Sequence, residues 1–126
     1  MKRGWLGAAI LTAMLAACLA ATWGMDRIHR PVAQALTAAS EAALSGELEQ
    51  GRELAAEARE QWDRWAHLRG CFCDHAASEE ADRAFASLGV YGRWGDRTAF
   101  AAASAELARM VQAVGEAHSP SWWNFF

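Results

Sequence analysis

Two histidines and two cysteines lie close together near the middle of the chain. His67, Cys71, Cys73 and His75 fall within nine residues. Imidazole and thiolate groups are the ligands that zinc and softer metal ions prefer. Structural zinc sites, however, usually separate two ligand pairs by a longer loop, and so short a cluster would need a strained backbone. We therefore expect neither a metal nor another cofactor, and the cluster stays as the alternative functional site.

The same two cysteines admit two other interpretations. Cys71 and Cys73 could form a disulfide if this part of the chain lies in an oxidising compartment, and so tight a loop would be easily reduced. They could also be two thiols without a function at the end of a helix. The sequence favours this last interpretation over the disulfide and the metal site.

A possible acid–base set follows the cluster. His75, Glu79 and Asp82 share one face of a helix that begins early enough. Capping and a favourable charge near the start of the helix are a simpler explanation. The sequence has no recognisable Ser-His-Asp set, phosphate-binding glycine loop or catalytic carboxylate pair. We therefore expect no enzymatic activity.

An uncharged apolar segment extends from Trp5 to Trp23. As a helix it would measure about 27 Å, close to the thickness of the hydrocarbon core of a bilayer. Tryptophan at both ends is typical of the membrane interface, and the basic residues in the first four positions favour a cytoplasmic N-terminus. The sequence predicts a single-pass cell-membrane protein that contacts the lipid bilayer through residues 5–23 and has its C-terminal domain outside the cytoplasm.

Two kinds of cleaved leader share this pattern. Residues 15–18 (LAAC) resemble the lipobox of bacterial lipoproteins, in which Cys18 would be lipidated, and residues 19–21 (LAA) offer an ordinary signal-cleavage site. The apolar segment continues past Cys18 to Trp23, which a membrane span requires and a signal peptide does not. We favour the uncleaved anchor.

Apolar residues recur at three- and four-residue steps over residues 24–118, which predicts helices. The expected bounds are Pro31 to Ser45, residue 47 to about Arg69, about residue 77 to Gly92, and Asp96 onward. Gly46 and Gly95 mark the expected turns, and Asp96 is the expected N-cap of the last helix. Short loops should make consecutive helices antiparallel. The predicted fold is all-α: an N-terminal transmembrane helix followed by a small antiparallel bundle of about four helices, arranged as two hairpins.

The apolar positions of these helices define an expected core. It includes Val32, Leu36, Ala55, Ala58, Leu68, Ala81, Phe85, Leu88, Phe100, Leu107, Val111 and Val114. Trp62 and Trp65 are expected to fill its centre with their rings. Trp94 is expected to cover the turn between the last two helices.

The C-terminal tail, residues 119–126, ends in four aromatic residues. Trp122, Trp123, Phe125 and Phe126 carry more apolar surface than a chain terminus usually exposes. The tail could fold back on the bundle, lie among lipid headgroups or dock on another protein. The sequence leaves these three alternatives open.

Two stretches resemble a known family. They are residues 75–82 (HAASEEAD) with Phe85 and Leu88 after them, and residues 121–126 (SWWNFF). They are similar to the small bacterial proteins grouped as domain of unknown function four-three-six-three. The resemblance implies a membrane helix followed by further helices, and it implies no biochemical activity.

The charge of the chain argues against one class of partner. Twelve basic and fifteen acidic residues give a net charge of −3, which does not favour nucleic acid. We expect a membrane-tethered, non-catalytic helical module that binds or stabilises another envelope protein, such as an integral membrane protein. The alternative is a thiol- or metal-dependent envelope protein that uses the cluster at residues 67–75.

Overall fold

The computed structural model describes residues 2–116, which form five helices and no strand. The helices are α1 (Lys2–Leu44), α2 (Leu48–Arg64), α3 (Ala66–Phe72), α4 (His75–Trp94) and α5 (Arg97–Glu116). The predicted all-α class is confirmed. The aromatic tail residues Trp122, Trp123, Phe125 and Phe126 lie outside the described residues.

Helix α1 joins the apolar segment to the bundle without a break. It is 43 residues long, and Pro31 lies inside it. The prediction of a helix that begins at Pro31 is therefore wrong. Met25 and His29 are buried like the residues after Pro31, so the packed face begins before the proline and holds the helix together. Pro31 itself is exposed, where its ring disturbs no packing.

Four long helices form an up-down-up-down bundle. The second half of α1 packs closely against α5 and α2, and α4 packs against α5, whereas α2 and α4 make fewer contacts with each other. The core includes Leu36, Ala58, Trp62, Ala81, Leu88, Phe100, Leu107 and Val111. We call the end of the bundle next to Met25 the near end, and the end with the turns at Gly46 and Gly95 the far end.

Glycine shapes both far-end turns. Gly46 and Gly95 have φ values of 90° and 73°, a backbone region that glycine adopts without strain. Asp96 then caps α5, because its Oδ1 accepts a hydrogen bond from the backbone N–H of Ala99 at 3.0 Å. The predicted turns and the predicted cap at Asp96 are confirmed.

Helix α2 ends earlier than the sequence predicts. It stops at Arg64, and the short α3 follows after Trp65. The break coincides with Arg69, whose guanidinium turns inward and donates a hydrogen bond to the carbonyl oxygen of Trp62. In a continuous helix that carbonyl would accept the N–H of Ala66 instead. As a consequence Trp65 is 38% exposed and Leu68 is 37% exposed, so their predicted burial is wrong.

The first half of α1 is apolar and lies outside the bundle. Its most apolar 18-residue window has a mean hydropathy of 1.9, and none of that window is buried. Large exposed side chains cover this part of the helix: Trp5, Leu6, Ile10, Leu11, Met14, Leu15, Leu19 and Trp23. By length and composition this helix could cross a membrane.

Candidate functional site

The histidine–cysteine cluster falls on the short connection between α2 and α4, at the near end of the bundle. His67 and Cys71 lie on α3 and are exposed, and His75 is the exposed first residue of α4. Cys73, between the two helices, is buried. The four side chains therefore lie on one connection but in different environments.

These donors are not arranged as a metal site. Within residues 2–116, no group of three or more histidine, cysteine, aspartate or glutamate side chains is placed to hold a metal ion. Cys71 and Cys73 are both free thiols in the structure. The chemistry available at this connection is that of one exposed thiol, one buried thiol and two exposed imidazoles.

The best-defined polar arrangement surrounds Trp62, and we call it the Trp62 cluster: Trp62, His29, Arg69, Asp82 and Phe85. Trp62 is only 1% exposed. Its indole Nε1 donates a hydrogen bond of 2.8 Å to Oδ1 of Asp82 on α4. The ring lies edge-on to His29 of α1 with centroids 5.7 Å apart, and 5.9 Å from the ring of Phe85. One side chain thus joins three helices, and the predicted core position of Trp62 is confirmed.

Arg69 attaches α3 to this cluster. Its guanidinium carbon lies 3.5 Å from the centre of the Trp62 ring, a close cation–π contact, and the residue is 4% exposed. Burial lowers the pKa of the Arg69 guanidinium, and the negative charge of Asp82 opposes that change. Because an arginine keeps its proton in proteins, Arg69 is a buried cation supported by the ring and the carboxylate.

Charge on the other side of the cluster is also balanced. The guanidinium of Arg59 pairs with Asp63 at 2.9 Å and approaches Oδ1 of Asp82 at 3.9 Å. It also lies 5.3 Å from the centre of the Phe85 ring. Asp82 therefore receives an indole N–H and faces two arginines, which is the environment of a structural carboxylate.

The environments of the two cysteines differ in their effect on reactivity. Burial raises the pKa of the Cys73 thiol, and the nearby positive charge of Arg69 only partly offsets this. A raised pKa leaves less thiolate at neutral pH, so Cys73 is a poor nucleophile. Cys71, by contrast, is exposed and accessible to reagents.

The possible acid–base set is not assembled either. His75 and Glu79 are exposed, whereas Asp82 is directed at Trp62. Capping at this helix comes from Asp74, whose Oδ1 accepts a hydrogen bond from the N–H of Ala76 at 3.0 Å. The predicted capping role thus belongs to the residue before His75.

Several grooves cross the surface of the described bundle, among them the following two. One of about 400 Å³ lies between α1 and α5 and has polar walls that include His29, Thr37 and Gln112. The other, of about 330 Å³, lies between α2 and α4, where Arg52 and Arg93 border an apolar floor. Neither groove brings a nucleophile, a base and an orienting group together.

Sequence reasoning missed two members of the Trp62 cluster. His29 could have been found, because Met25, His29, Val32 and Leu36 continue one helical stripe at steps of four, three and four residues. Arg69 gave no comparable signal. An arginine at the expected end of a helix is usually solvated, and only the three-dimensional path of α3 brings it over the Trp62 ring.

The proposed anchor residues within the described part of the chain are exposed. Trp5 and Trp23 are 80% and 66% exposed, and Cys18 also lies on the exposed surface. The guanidinium of Arg27 stacks over the Trp23 ring at 4.7 Å. Trp23 and Arg27 therefore present an indole and a cation side by side, where the apolar segment meets the bundle.

No protein-family model matches the chain, and neither a curated protein nor a solved structure matches it. The resemblance of residues 75–82 and 121–126 to the domain of unknown function four-three-six-three therefore stays a prediction. The architecture assigned to this chain is that of an all-α bundle extended by one long apolar helix.

Proposed function

We propose that the protein is a membrane-tethered, non-catalytic module that presents its helical bundle outside the cytoplasm to another envelope protein. The supporting observation is the unbroken helix α1, whose first half is apolar and unburied and whose second half is a core helix of the bundle. A fully exposed apolar surface of this length requires a nonpolar environment, and a bilayer supplies one. The segment is then uncleaved, with its basic flank in the cytoplasm.

Features of the rest of the described surface support the proposed binding role. Its polar clusters are engaged in holding the helices together, as the Trp62 cluster does for α1, α2, α3 and α4. The two grooves, together with the aromatic tail predicted from the sequence, offer contact surface to a partner. The proposed partner is an integral membrane or envelope protein in the same bilayer.

The topology can be tested with single cysteines and a membrane-impermeant maleimide. Gly4→Cys places a thiol before the span and Leu44→Cys places one at the far end of the bundle, both at exposed positions. We expect Leu44→Cys to react in intact spheroplasts and Gly4→Cys to react only after permeabilisation. Reaction of both only after permeabilisation would contradict the proposal, and intact mass would distinguish the span from a protein cleaved and lipidated at Cys18.

The binding role needs a separate test. Full-length protein and a variant without residues 119–126 would be purified from native membranes in mild detergent, with bound proteins identified by mass spectrometry. A stoichiometric partner present with the full-length protein and lost from the shortened variant would support a role for the tail. Purification of both forms without a partner would contradict the binding role.

A further inference from the structure

Helix α1 fixes the height of the bundle above the proposed membrane. Burial in the bundle begins at Met25, only two residues after Trp23, and the helix has no break between them. If Trp23 marks the membrane interface, no flexible linker separates the bundle from the lipid headgroups. That headgroup layer is about 5–8 Å thick on each side of the hydrocarbon core.

The end of α2 then reaches this layer. His29 lies about 9 Å beyond Trp23 along α1, at 1.5 Å per residue. Trp62 contacts His29, and α2 runs back towards the membrane, so Trp65 lies about 5 Å above Trp23. A helix tilt of about 20° would shorten heights along α1 by less than a tenth, and it would move a neighbouring helix about 8–10 Å away by roughly 3 Å towards or away from the membrane.

A second set of contacts gives the same height. Gly51 of α2 lies against α1 between Ala39 and Ala43, about 27 Å above Trp23. Eleven residues further along α2, Trp62 is therefore about 10 Å above Trp23. The two estimates of the height of Trp62 above Trp23 differ by no more than the rise of one helical residue.

The start of α4 comes closer still. Asp82 accepts the hydrogen bond from Trp62 and so lies near the same height as that ring. His75 is seven residues earlier on α4, about 10 Å nearer to the membrane. This places His75 close to the level of Trp23. The whole connection from Trp65 to His75, which we call the elbow, thus falls in the headgroup layer.

The outer surface of the elbow suits that layer. Trp65, just before α3, and Leu68 on α3 are both more than a third exposed, while Arg69 on α3 is turned inward. Tryptophan favours the membrane interface because its ring is amphipathic. Trp65 and Leu68 thus add apolar side chains to a surface that also carries the exposed imidazoles of His67 and His75, and the neighbouring arginines Arg64 and Arg30 are paired with Glu60 and Asp26.

We propose that the elbow is a second membrane-contact site, at which Trp65 and Leu68 insert among the headgroups of the bilayer that α1 crosses. This inference rests on the proposed membrane span. The partner is the lipid surface itself, and a neutral phospholipid is sufficient because the contact is apolar. Two attachments, α1 and the elbow, then fix the orientation of the bundle and not only its distance from the membrane.

Quenching of a fluorophore by nitroxide-labelled lipids tests this directly. Full-length single-cysteine variants are reconstituted in phosphatidylcholine nanodiscs, each with a nitrobenzoxadiazole group on its one remaining cysteine. Native Cys71 reports on the elbow, Leu11→Cys on the span and Leu44→Cys on the far end. Leu11 and Leu44 are 70% and 69% exposed, which makes the two substitutions a matched pair.

We expect a headgroup nitroxide to quench the Cys71 probe at least twofold more than the Leu44→Cys probe, which is about 31 Å from Trp23. A nitroxide deep in the acyl chains should quench the Leu11→Cys probe. Quenching at Leu11→Cys with equal, weak quenching at Cys71 and Leu44→Cys would overturn the elbow contact alone. Loss of quenching at Leu11→Cys would overturn the span and the elbow contact with it.

A double variant tests the two side chains. Trp65→Ser with Leu68→Ser should reduce quenching at Cys71 at least twofold while the helical circular dichroism spectrum is kept. Trp94→Ser is the matched control, because Trp94 is 79% exposed at the far end and should leave quenching unchanged. Undiminished quenching in the double variant would overturn the role given to Trp65 and Leu68.

Discussion

Trp62 connects more of the molecule than any neighbouring side chain does. Its indole N–H donates a hydrogen bond to Asp82 of α4. Its ring face and its carbonyl oxygen both contact the guanidinium of Arg69 of α3. Most core residues of this bundle are alanine or aliphatic and contribute only contact area. Trp62 adds directional contacts, which specify how α3 and α4 are placed against α2.

This role predicts a specific loss of stability. Trp62→Phe keeps an aromatic ring but removes the indole N–H and leaves Asp82 without that donor. We expect the free energy of unfolding to fall by about 1–3 kcal/mol, from the lost hydrogen bond and the smaller ring. Thermal unfolding followed by circular dichroism in mild detergent would measure it.

The matched control is Trp94→Phe. Trp94 is largely exposed, so this substitution should change the free energy of unfolding by less than about 0.5 kcal/mol. Equal effects of the two substitutions would show that the Trp62 contacts contribute nothing beyond general helix stability.

The two elbow cysteines should differ in reactivity. Burial raises the pKa of the Cys73 thiol, so at neutral pH less of it is thiolate and less of it is accessible. In single-cysteine variants, Cys71 should be alkylated by iodoacetamide at least about tenfold faster than Cys73. Raising the pH above neutral should increase the Cys73 rate, because more of that thiol becomes thiolate. A Cys73 that reacts as fast as Cys71 at pH 7 would contradict the structure of the elbow.

At the scale of elements, α1 and α2 approach closely through a glycine. A Cβ at Gly51 would lie 2.9 Å from the carbonyl oxygen of Ala39 and 3.2 Å from the Phe100 ring. The backbone oxygen cannot move without shifting α1. Gly51→Ala should therefore lower the free energy of unfolding by about 1–3 kcal/mol, as expected for overpacking.

Gly89 on α4 provides the opposite case. A Cβ there would meet only the Arg93 guanidinium at 3.9 Å, an ordinary contact with a flexible side chain. Gly89→Ala should raise the free energy of unfolding by about 0.5–1 kcal/mol, because alanine favours a helix interior. Thermal unfolding of both variants checks the pair, and a stabilising Gly51→Ala would disprove the close approach of α1 and α2.

The helices that pack by simple periodicity were predictable from the sequence. The turn at Gly46 and the cap at Asp96 have local signals, and both occur where the sequence places them. The break at Trp65 had no local signal. The stripe from Trp62 through Trp65 to Leu68 continues without a helix-breaking residue, and the contacts of Arg69 with the Trp62 ring and carbonyl, which accompany the turn, depend on tertiary structure.

The same limit applies to the candidate site. Spacing alone brought His67, Cys71, Cys73 and His75 together, and they do lie on one connection. Spacing could not show that Cys73 faces inward while the other three face outward. That difference depends on tertiary packing. It determines whether the four side chains could face one common metal ion or instead lie on an exposed surface.

At the scale of the whole molecule, helix α1 has one half outside the bundle and one half in its core. The half of α1 before residue 24 contributes nothing to the core, and the half after it contributes one complete side of the bundle. The continuity of the helix transmits orientation, but the stability of the bundle should not depend on the apolar half. The two functions of α1 can therefore be separated by truncation.

Removal of residues 2–23 should leave a folded bundle that is soluble without detergent. Because no residue in the removed segment is buried, its melting temperature should stay within about 4 °C of that of the full chain, which corresponds to less than about 1 kcal/mol. Removal of residues 2–32 is the matched control, since it also deletes buried Met25, His29 and Val32 and should abolish cooperative unfolding. Circular dichroism and calorimetry would measure both variants. A first truncation that is as unfolded as the second would show that the apolar segment is part of the core, and the membrane span would then lose its structural support.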